Sequence, residues 1–306
     1  MNKYGLCCIS LKLQERDIKA ATMTRSRFLQ LERKLAERTV ADRTLNNINV
    51  LYHTLNYCAE KGYNYRISSN VMPLATLPEL NLSYSTAYNF KQLKSRIDEC
   101  AKIIEKHNIR CSTHPDQFVV PASANPDVVS KSILELNKHA ELMDMLGLPC
   151  SYTAPINIHM NCYKGDTQVI ADRFLAVYDK LNTNVKNRLV LENEDKGNSW
   201  SVYDLYNLIY KRSGIPITYD SHHFRLNNRE NVEASVAIEL CISTWGKYKP
   251  LFHFSNGKDG ADDNSHSEFV YTVHDELFNN EVDIDFEFKG KDFAIEKFVK
   301  DFKGGI

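Results

Sequence analysis

Two strands and the helix between them are evident in the segment RLVLENEDKGNSWSVYDLYNLIYKRSGIPITYD, residues 188–220. The strands are RLVLEN at 188–193 and PITYD at 216–220, and the stretch 205–210 has helical periodicity. Short runs rich in β-branched and aromatic residues are typical of buried strands. A strand, a helix and a second strand in this order predict a βαβ unit with two parallel strands.

The same unit recurs along the chain. Six more strands are predicted, at 4–9, 63–68, 109–114, 155–160, 249–255 and 282–287. Between them, apolar residues recur every three or four positions, as in Ile48, Leu51, Leu55 and Cys58, which indicates one buried helix face. Eight such units without a Gly/Ser-rich linker predict a (β/α)8 TIM barrel, α/β in class, formed as a single domain over residues 1–306.

An open, doubly wound sheet is the alternative architecture. Such a sheet usually has a glycine-rich loop after its first strand. The residues at that position, ISLK at 9–12, include no glycine. The closed barrel is therefore favoured.

Composition limits the class of protein. The chain has 306 residues, 43% of them hydrophobic and 25% charged, with a net charge of −1, which is ordinary for a globular protein. Because no apolar run approaches ~18 residues and no signal-peptide pattern begins the chain, we expect a cytoplasmic protein without a membrane span. The eight cysteines include no C-x-x-C pair, so neither a zinc ribbon nor disulfide bonds are expected.

The charge distribution leaves one question open. A net charge of −1 argues against holding nucleic acid by charge alone, but bound cations could still meet a phosphate. Between Lys12 and Arg38, eight basic side chains accompany four acidic ones. This segment is either a solvated helical face or a phosphate contact. Two long loops, 69–86 and 256–267, are expected on the catalytic face of the barrel.

Imidazoles and carboxylates stand at the carboxyl ends of most strands from the third onward. The C-terminal ends of barrel strands meet at one rim, so these side chains should converge there. The eight candidate ligands are His114, His159, Glu192, Asp220, His223, His253, His266 and Glu287. Four other histidines fall in stretches predicted to be helical and are given no role: His53, His107, His139 and His274.

So many acidic and basic groups in one place require cations to neutralise them. Eight ligands exceed the three or four that one catalytic ion takes. We therefore expect two to three divalent ions, with Glu192 bridging two of them. Nitrogen and oxygen ligands suit Mn2+, which is the expected ion, or Zn2+; Mg2+ is a further alternative. Such a centre fits phosphodiester hydrolysis well and sugar isomerisation less completely.

Several motifs, in matching order, resemble the signature segments of the UV damage endonucleases. They are HPDQF at 114–118, LENED at 191–195, DSHH at 220–223 and EFKGK at 287–291, together with YRISSN at 65–70 followed by Met72 and Pro73. The resemblance spans about residues 4 to 291. It implies a barrel repair enzyme that binds double-stranded DNA and cuts it 5′ of UV photoproducts and other lesions.

The resemblance also implies roles for individual residues. Glu192 would bridge ions in catalysis, and His223 with His266 would hold a third ion. Lys289 matches a basic residue near the metals and is a candidate catalytic phosphate contact. The candidates for contact with DNA or the lesion are Gln117, which would insert beside the lesion, and Phe118, Leu6, Arg66 and Asn70.

Three positions depart from the family pattern. Phe118 stands where tyrosine is frequent, so stacking survives without a hydroxyl hydrogen bond. Leu6 replaces an aromatic residue, and Leu251 stands where some members have lysine near the metals. Lesion range is the property that these changes affect. Near the predicted ligands, His222 and Asn193 are candidates for supporting roles.

Three functions are compatible with this sequence. A DNA-lesion endonuclease is favoured, acting as a monomer on duplex DNA. A metal-dependent sugar isomerase or epimerase would need a Lys or His placed for proton transfer, and the HPDQF loop would have no purpose. An inactive metal- or damage-binding protein would be expected to lack a ligand, whereas every expected ligand is present.

Overall fold

The computed structural model describes residues 2–302. The predicted domain range of 1–306 therefore includes residues 1 and 303–306, which lie outside the described residues. Eight strands are present: β1 Tyr4–Cys7, β2 Asn64–Ile67, β3 Cys111–Thr113, β4 Ile156–Ile158, β5 Leu189–Glu192, β6 Ile217–Thr218, β7 Leu251–Phe254 and β8 Asp283–Phe286. Each lies within one of the eight predicted strands.

All strand pairs are parallel, in the order β6-β5-β4-β3-β2-β1-β8-β7. The two edge strands approach each other as well. Asp220, just after β6, forms a parallel bridge with His253 of β7, and the His253 N–H donates to the Tyr219 carbonyl at 2.9 Å. The sheet is thus a nearly closed barrel, which confirms the predicted TIM-barrel fold and excludes the open sheet.

Helices separate the strands along the chain. They are α1 Leu11–Gln14, α2 Arg25–Leu29, α3 Arg33–Lys61, α4 Phe90–His107, α5 Pro126–Met145, α6 Thr167–Tyr178, α7 Thr183–Lys186, α8 Val202–Asp204, α9 Lys211–Ser213, α10 Ser221–Leu226, α11 Ala234–Thr244, α12 Asp275–Phe278 and α13 Lys291–Phe302. A π-helical turn, Leu205–Tyr210, joins α8 to α9, and a 3-10 turn, Pro78–Leu80, lies in the loop after β2.

Local sequence signals explain where the long helices begin and end. Helix α3 ends at Gly62, whose φ of 70° is left-handed, a conformation that glycine adopts without strain. Asn125 is the N-cap of helix α5: its side chain accepts from the Asp127 N–H, and Pro126 is the first residue of the helix. Both residue choices are the ones preferred at these positions.

The barrel interior is polar where Gly5 of β1 pairs with Asp285 of β8. A Cβ added to Gly5 would lie 1.8 Å from Asp285 Oδ1, so only glycine leaves room for this inward carboxylate. Asp285 is buried and accepts a hydrogen bond from Ser112 Oγ at 3.2 Å. Its burial raises the pKa of Asp285 above the ordinary value.

Three smaller predictions can be compared with the structure. His274 precedes α12 rather than lying within a helix, because the loop after β7 extends further than its apolar pattern suggested. All eight cysteines are free. Within residues 2–302, no helix is both long and apolar enough to cross a bilayer.

Candidate metal centre

The candidate ligands gather around Glu192, the last residue of β5, which is fully buried. One oxygen of Glu192, Oε2, lies 3.1 Å from His114 Nε2 and 3.1 Å from His253 Nδ1. The other, Oε1, lies 3.3 Å from His223 Nδ1 and 3.7 Å from His159 Nε2. Four imidazoles from different strand ends therefore surround one carboxylate.

Two overlapping groups of ligand atoms have the spacing of metal sites. His114, His159 and Glu192 form the first, and Glu192, Asp220, His253 and Glu287 form the second. Within each group the ligand atoms lie within 4.8 Å of one another. Glu192 belongs to both groups, so its carboxylate could serve as a ligand in either one.

Buried polar atoms in these groups lack hydrogen bonds. In the described part of the chain, Asp220 Oδ2 and His159 Nδ1 are buried without a hydrogen-bond partner. Such atoms are costly to bury unpaired. Nitrogen and carboxylate oxygen donors suit divalent transition-metal ions, so the residues present fit a metal.

The pKa values of the candidate ligands are shifted by burial and by the charges around them. Burial alone would raise the pKa of Glu192, but His253 and His159 outweigh it and hold the pKa well below the ordinary value. Burial would likewise raise the pKa of Glu287, but Arg66 and His253 outweigh burial and hold this pKa well below its ordinary value. Burial lowers the pKa of His159 to about 4. For His223 and His253, the neighbouring carboxylates outweigh burial and raise the pKa, to about 10 for His223 and well above the ordinary value for His253. The two carboxylates and His159 therefore favour the forms that bind metals, whereas His223 and His253 would release a proton when a metal binds.

The spacing of Asp220 and His223 has a local structural cause. Asp220 follows β6 and is the N-cap of α10, where its Oδ1 accepts from the His223 N–H at 2.7 Å. An aspartate at this position satisfies an otherwise unpaired helix donor. The cap holds His223 in the first turn of α10, so both side chains stay at the rim.

His223 and His266 lie beside the two groups. Their ring centroids are 6.2 Å apart, and His266 Nε2 is 3.9 Å from Glu287 Oε2. The other nitrogen of His266, Nδ1, is 2.7 Å from Ser255 Oγ. The predicted pairing of these histidines at a further ion is compatible with this arrangement. His222 is buried beside them, with its ring centroid 5.8 Å from that of His266.

Two asparagines support the centre. Asn193 donates from Nδ2 to the Asp220 carbonyl at 3.1 Å and accepts from the Asp220 N–H at 2.8 Å, in agreement with its predicted supporting role. Asn157 donates to Glu192 Oε2 and was not predicted. It lies two residues before His159 and therefore on the same face of β4, a spacing that could have identified it.

Gln117 and Phe118 form an exposed turn at the same rim. Phe118 is 75% exposed, which is unusual for a phenylalanine. The Val119 N–H donates to the Asp116 carbonyl at 2.9 Å, and Ser69 Oγ donates to the His114 carbonyl at 2.7 Å. This turn, residues 116–119, therefore follows a candidate ligand and is held by hydrogen bonds at its base; we call it the probe turn.

Two candidates for contact with DNA or the lesion, Leu6 and Arg66, are buried. Leu6 has no exposed surface: Gly5 faces the interior, so alternation along β1 turns Leu6 toward the helices. Arg66 is buried and forms an ion pair with Glu287. Both side chains are therefore buried rather than exposed toward DNA. Asn70 and Lys289 are exposed, and Leu251 is buried.

The fold and the centre together define a TIM-barrel protein with a candidate multinuclear metal site at the carboxyl ends of its strands. The family model "UV-endonuclease UvdE" matches residues 2–305. This chain belongs to that family.

Individual relatives agree with the family match. A UV DNA damage endonuclease of Nostoc sp. is 30% identical over 299 residues, which cover 96% of this chain and 88% of the relative. A UV DNA damage endonuclease of Bacillus velezensis is 27% identical over 292 residues, which cover 92% of this chain and 88% of the relative. The crystal structure of SacUVDE superposes with a TM-score of 0.84 at 29% identity, covering 99% of this chain and 98% of that chain.

More distant structures share the fold alone. Endonuclease IV from Thermus thermophilus has a TM-score of 0.57 at 13% identity, with 97% of each chain covered. D-psicose 3-epimerase from Clostridium cellulolyticum has a TM-score of 0.52 at 12% identity, with 78% of this chain and 79% of that chain covered. These likenesses do not distinguish a nuclease from an epimerase.

Proposed function

We propose that this chain is a metal-dependent DNA repair endonuclease that hydrolyses the phosphodiester bond 5′ of UV photoproducts and other distorting lesions. Two to three divalent cations are proposed, with Mn2+ as the expected ion and Zn2+ or Mg2+ as alternatives. The eight proposed ligands are His114, His159, Glu192, Asp220, His223, His253, His266 and Glu287.

One juxtaposition carries this proposal: the probe turn follows His114, a residue of the metal centre, by two positions. The turn presents Phe118, which is 75% exposed, and Gln117. An exposed aromatic beside an amide can stack on and hydrogen-bond to unpaired bases. A lesion held there would lie next to groups that can hydrolyse its backbone.

Divalent cations bound at such a centre supply Lewis-acid stabilisation of phosphate oxygens and lower the pKa of water. The side chains of this protein bind and orient the reacting groups. Glu192 and Glu287 provide ionised carboxylates, and His159 provides a neutral imidazole. Arg66 fixes Glu287 by its ion pair, and Asn157 orients Glu192. Lys289, exposed at the end of β8, is proposed to contact the scissile phosphate.

At the lesion, Gln117 and Phe118 are proposed to wedge into the base stack at the distorted step. Unstacking costs least there, because damaged or mismatched bases are already weakly held. Asn70 is exposed in the neighbouring loop and is a further candidate contact. Preference for damaged DNA follows from the smaller energy needed to open it.

The sugar isomerase alternative leaves the probe turn without a role. A small sugar inside the barrel would not need a phenylalanine on the surface. An inactive binding protein would not be expected to retain all eight ligands and their supporting asparagines. The endonuclease therefore accounts for more of the site. We further propose that the chain acts as a monomer, as a single domain and in the cytoplasm.

The deciding experiment is a nicking assay on UV-irradiated supercoiled plasmid beside an unirradiated control, with Mn2+ and then with EDTA. We expect nicking of the irradiated plasmid alone, abolished by EDTA. Mapping the nick shows on which side of the lesion the strand is cut. If neither plasmid is nicked with Mn2+, Zn2+ or Mg2+, the endonuclease proposal is wrong, and aldose and ketose sugars should be tested.

A further inference from the structure

A groove of about 420 Å3 lies between the first turns of α3 and the loop that follows β2. Lys34 and Arg38 line one side, and residues 81–83 with 86–88 line the other. We call it the basic groove. Helices of a TIM barrel begin, and the loops after strands lie, on the catalytic face. The basic groove is therefore on the same face as the metal centre.

Two cations in the basic groove lack an acidic partner. Lys34 and Arg38 are exposed, and in the part of the chain that the structure describes neither pairs with a carboxylate. Glu37 also lines the groove, but it is paired with Arg33: Glu37 Oε1 lies 2.6 Å from Arg33 Nε. Residues four apart lie on one helix face about 6 Å apart along the axis. The groove thus presents two neighbouring positive charges.

An aromatic ring holds one of these cations in place. Tyr88 is 69% exposed, and Arg38 Cζ lies 4.8 Å from its ring centroid. A guanidinium on an aromatic face keeps its N–H groups free to donate outward. Arg38 is thereby ordered toward an anion that enters the groove.

The basic groove adjoins the probe turn. Met72 lines the groove and also lines a cavity of about 50 Å3 that Asp116 of the probe turn borders. The same loop after β2 is joined to the base of the probe turn by the Ser69 hydrogen bond to the His114 carbonyl. A duplex held at Phe118 would therefore pass close to the groove.

We propose that the basic groove binds the phosphate backbone of the DNA duplex on one side of the lesion. Two unpaired cations beside the probe turn match the charge of a duplex, which is dense along both strands. Contacts of this kind position a protein on DNA without reading sequence. The inference rests on the proposed endonuclease function. It makes part of the basic segment 12–38, Lys34 and Arg38, a phosphate contact.

The test compares Lys34→Ala/Arg38→Ala with a matched control, Lys102→Ala/Lys106→Ala. Lys102 and Lys106 are also exposed and four apart, but near the C-terminal end of α4, which is directed to the opposite face of the barrel. Both variants lose the same charge. Binding of a duplex carrying one thymine dimer is measured in EDTA by fluorescence anisotropy across a series of salt concentrations, and folding is checked by thermal melting.

We expect the Lys34/Arg38 variant to reduce the slope of log K against log salt by about 1.8, at about 0.9 for each lost phosphate contact, and the control to leave it unchanged. An unchanged slope in the first variant, or equal losses in both, overturns the inference. A Lys34→Ala/Arg38→Lys variant, which keeps one cation in the groove, should regain about half of the lost slope. If the unmodified chain nicks irradiated plasmid while the slopes are unchanged, only this inference fails; if it nicks nothing, the endonuclease proposal fails.

Discussion

At the scale of the residue, Glu192 is the group on which the candidate centre depends. It is fully buried, and four histidines approach its two oxygens. Its carboxylate is shared by both groups of ligand atoms. Without its charge, the imidazoles around it lose the partner that both orients them and would bridge the cations.

Glu192→Gln should reduce nicking of irradiated plasmid by at least about 100-fold, because even supporting residues of metal sites contribute 10–100-fold. The amide keeps the size of the side chain, so we expect the fold to persist by circular dichroism. Glu239→Gln, an exposed change on α11, is the control. A Glu192→Gln enzyme of full activity would exclude the bridging role.

Phe118 permits a test of lesion recognition that leaves the centre intact. Since its side chain is 75% exposed, Phe118→Ala should not change the melting temperature. Stacking on a base is worth about 1–3 kcal/mol, so the preference for irradiated over intact plasmid should fall about tenfold. Gln117→Ala should act in the same direction.

The matched control for the probe turn is Phe302→Ala. Phe302 is 47% exposed at the end of α13, toward the opposite face of the barrel. Manganese affinity, measured by calorimetry, should be the same in all three variants. If Phe118→Ala retains full discrimination, the turn does not probe the lesion.

At the scale of the element, α5 supports the probe turn from beneath. Ser132, buried in α5, accepts from the Val120 N–H through Oγ at 2.8 Å and donates to the Val128 carbonyl at 2.7 Å. One turn further, Glu135 is largely buried, and its carboxylate accepts from the Asp116 N–H. Helix and turn are thus held together by side chains from a single helix face.

Glu135 makes stability depend on pH. Burial raises its pKa from 4.5 to about 7, so the unfolded chain loses this proton at lower pH than the folded chain. The stabilisation is complete below about pH 4.5 and is lost as pH rises through 7. Glu135→Gln should therefore be more stable than the unmodified chain at pH 8, by about 2 kcal/mol, and equal to it near pH 4.

Urea denaturation at pH 4, 6 and 8 measures this difference. Glutamine can still accept from Asp116, so the turn should keep its hydrogen bond. Glu105→Gln, an exposed change on α4, should leave the difference near zero at all three values. A Glu135→Gln chain that is less stable at pH 8 would show that the charge stabilises the folded state.

At the scale of the whole molecule, the barrel holds together ligands that come from six strand ends. Buried acceptors such as Asp220 Oδ2 have no hydrogen bond in the described structure. A cation that binds them binds the folded chain and not the unfolded one, because the unfolded chain does not assemble the ligands. Metal binding should therefore stabilise the whole fold.

Adding Mn2+ at 100 times its dissociation constant should raise the free energy of unfolding by about 2.7 kcal/mol. For a chain of this size, that corresponds to an increase in melting temperature of about 5 °C. EDTA should reverse the increase, and Glu192→Gln should diminish it. A melting temperature that Mn2+, Zn2+ and Mg2+ all leave unchanged would count against the metal centre.

The sequence by itself determined the order of strands and helices and the approximate positions of all eight strands. It also placed the candidate ligands at one rim. Hydrophobic periodicity and residue type are local properties that predict the strands, and parallel strands bring their carboxyl ends together. The short length of β6 and the start of α12 were not evident, since hydrogen bonds to neighbours decide where an element ends.

The tertiary structure alone decided which side chains face the centre, the helices or the solvent. Barrel strands are buried on both faces, so hydrophobicity does not reveal the direction of a side chain. Leu6 and Arg66 were candidates for contact with DNA or the lesion, but Leu6 packs toward the helices and Arg66 pairs with Glu287. The spacing of Asn157 and His159 indicates a shared strand face, but only the folded barrel brings β4 beside β5 and the Asn157 amide against Glu192.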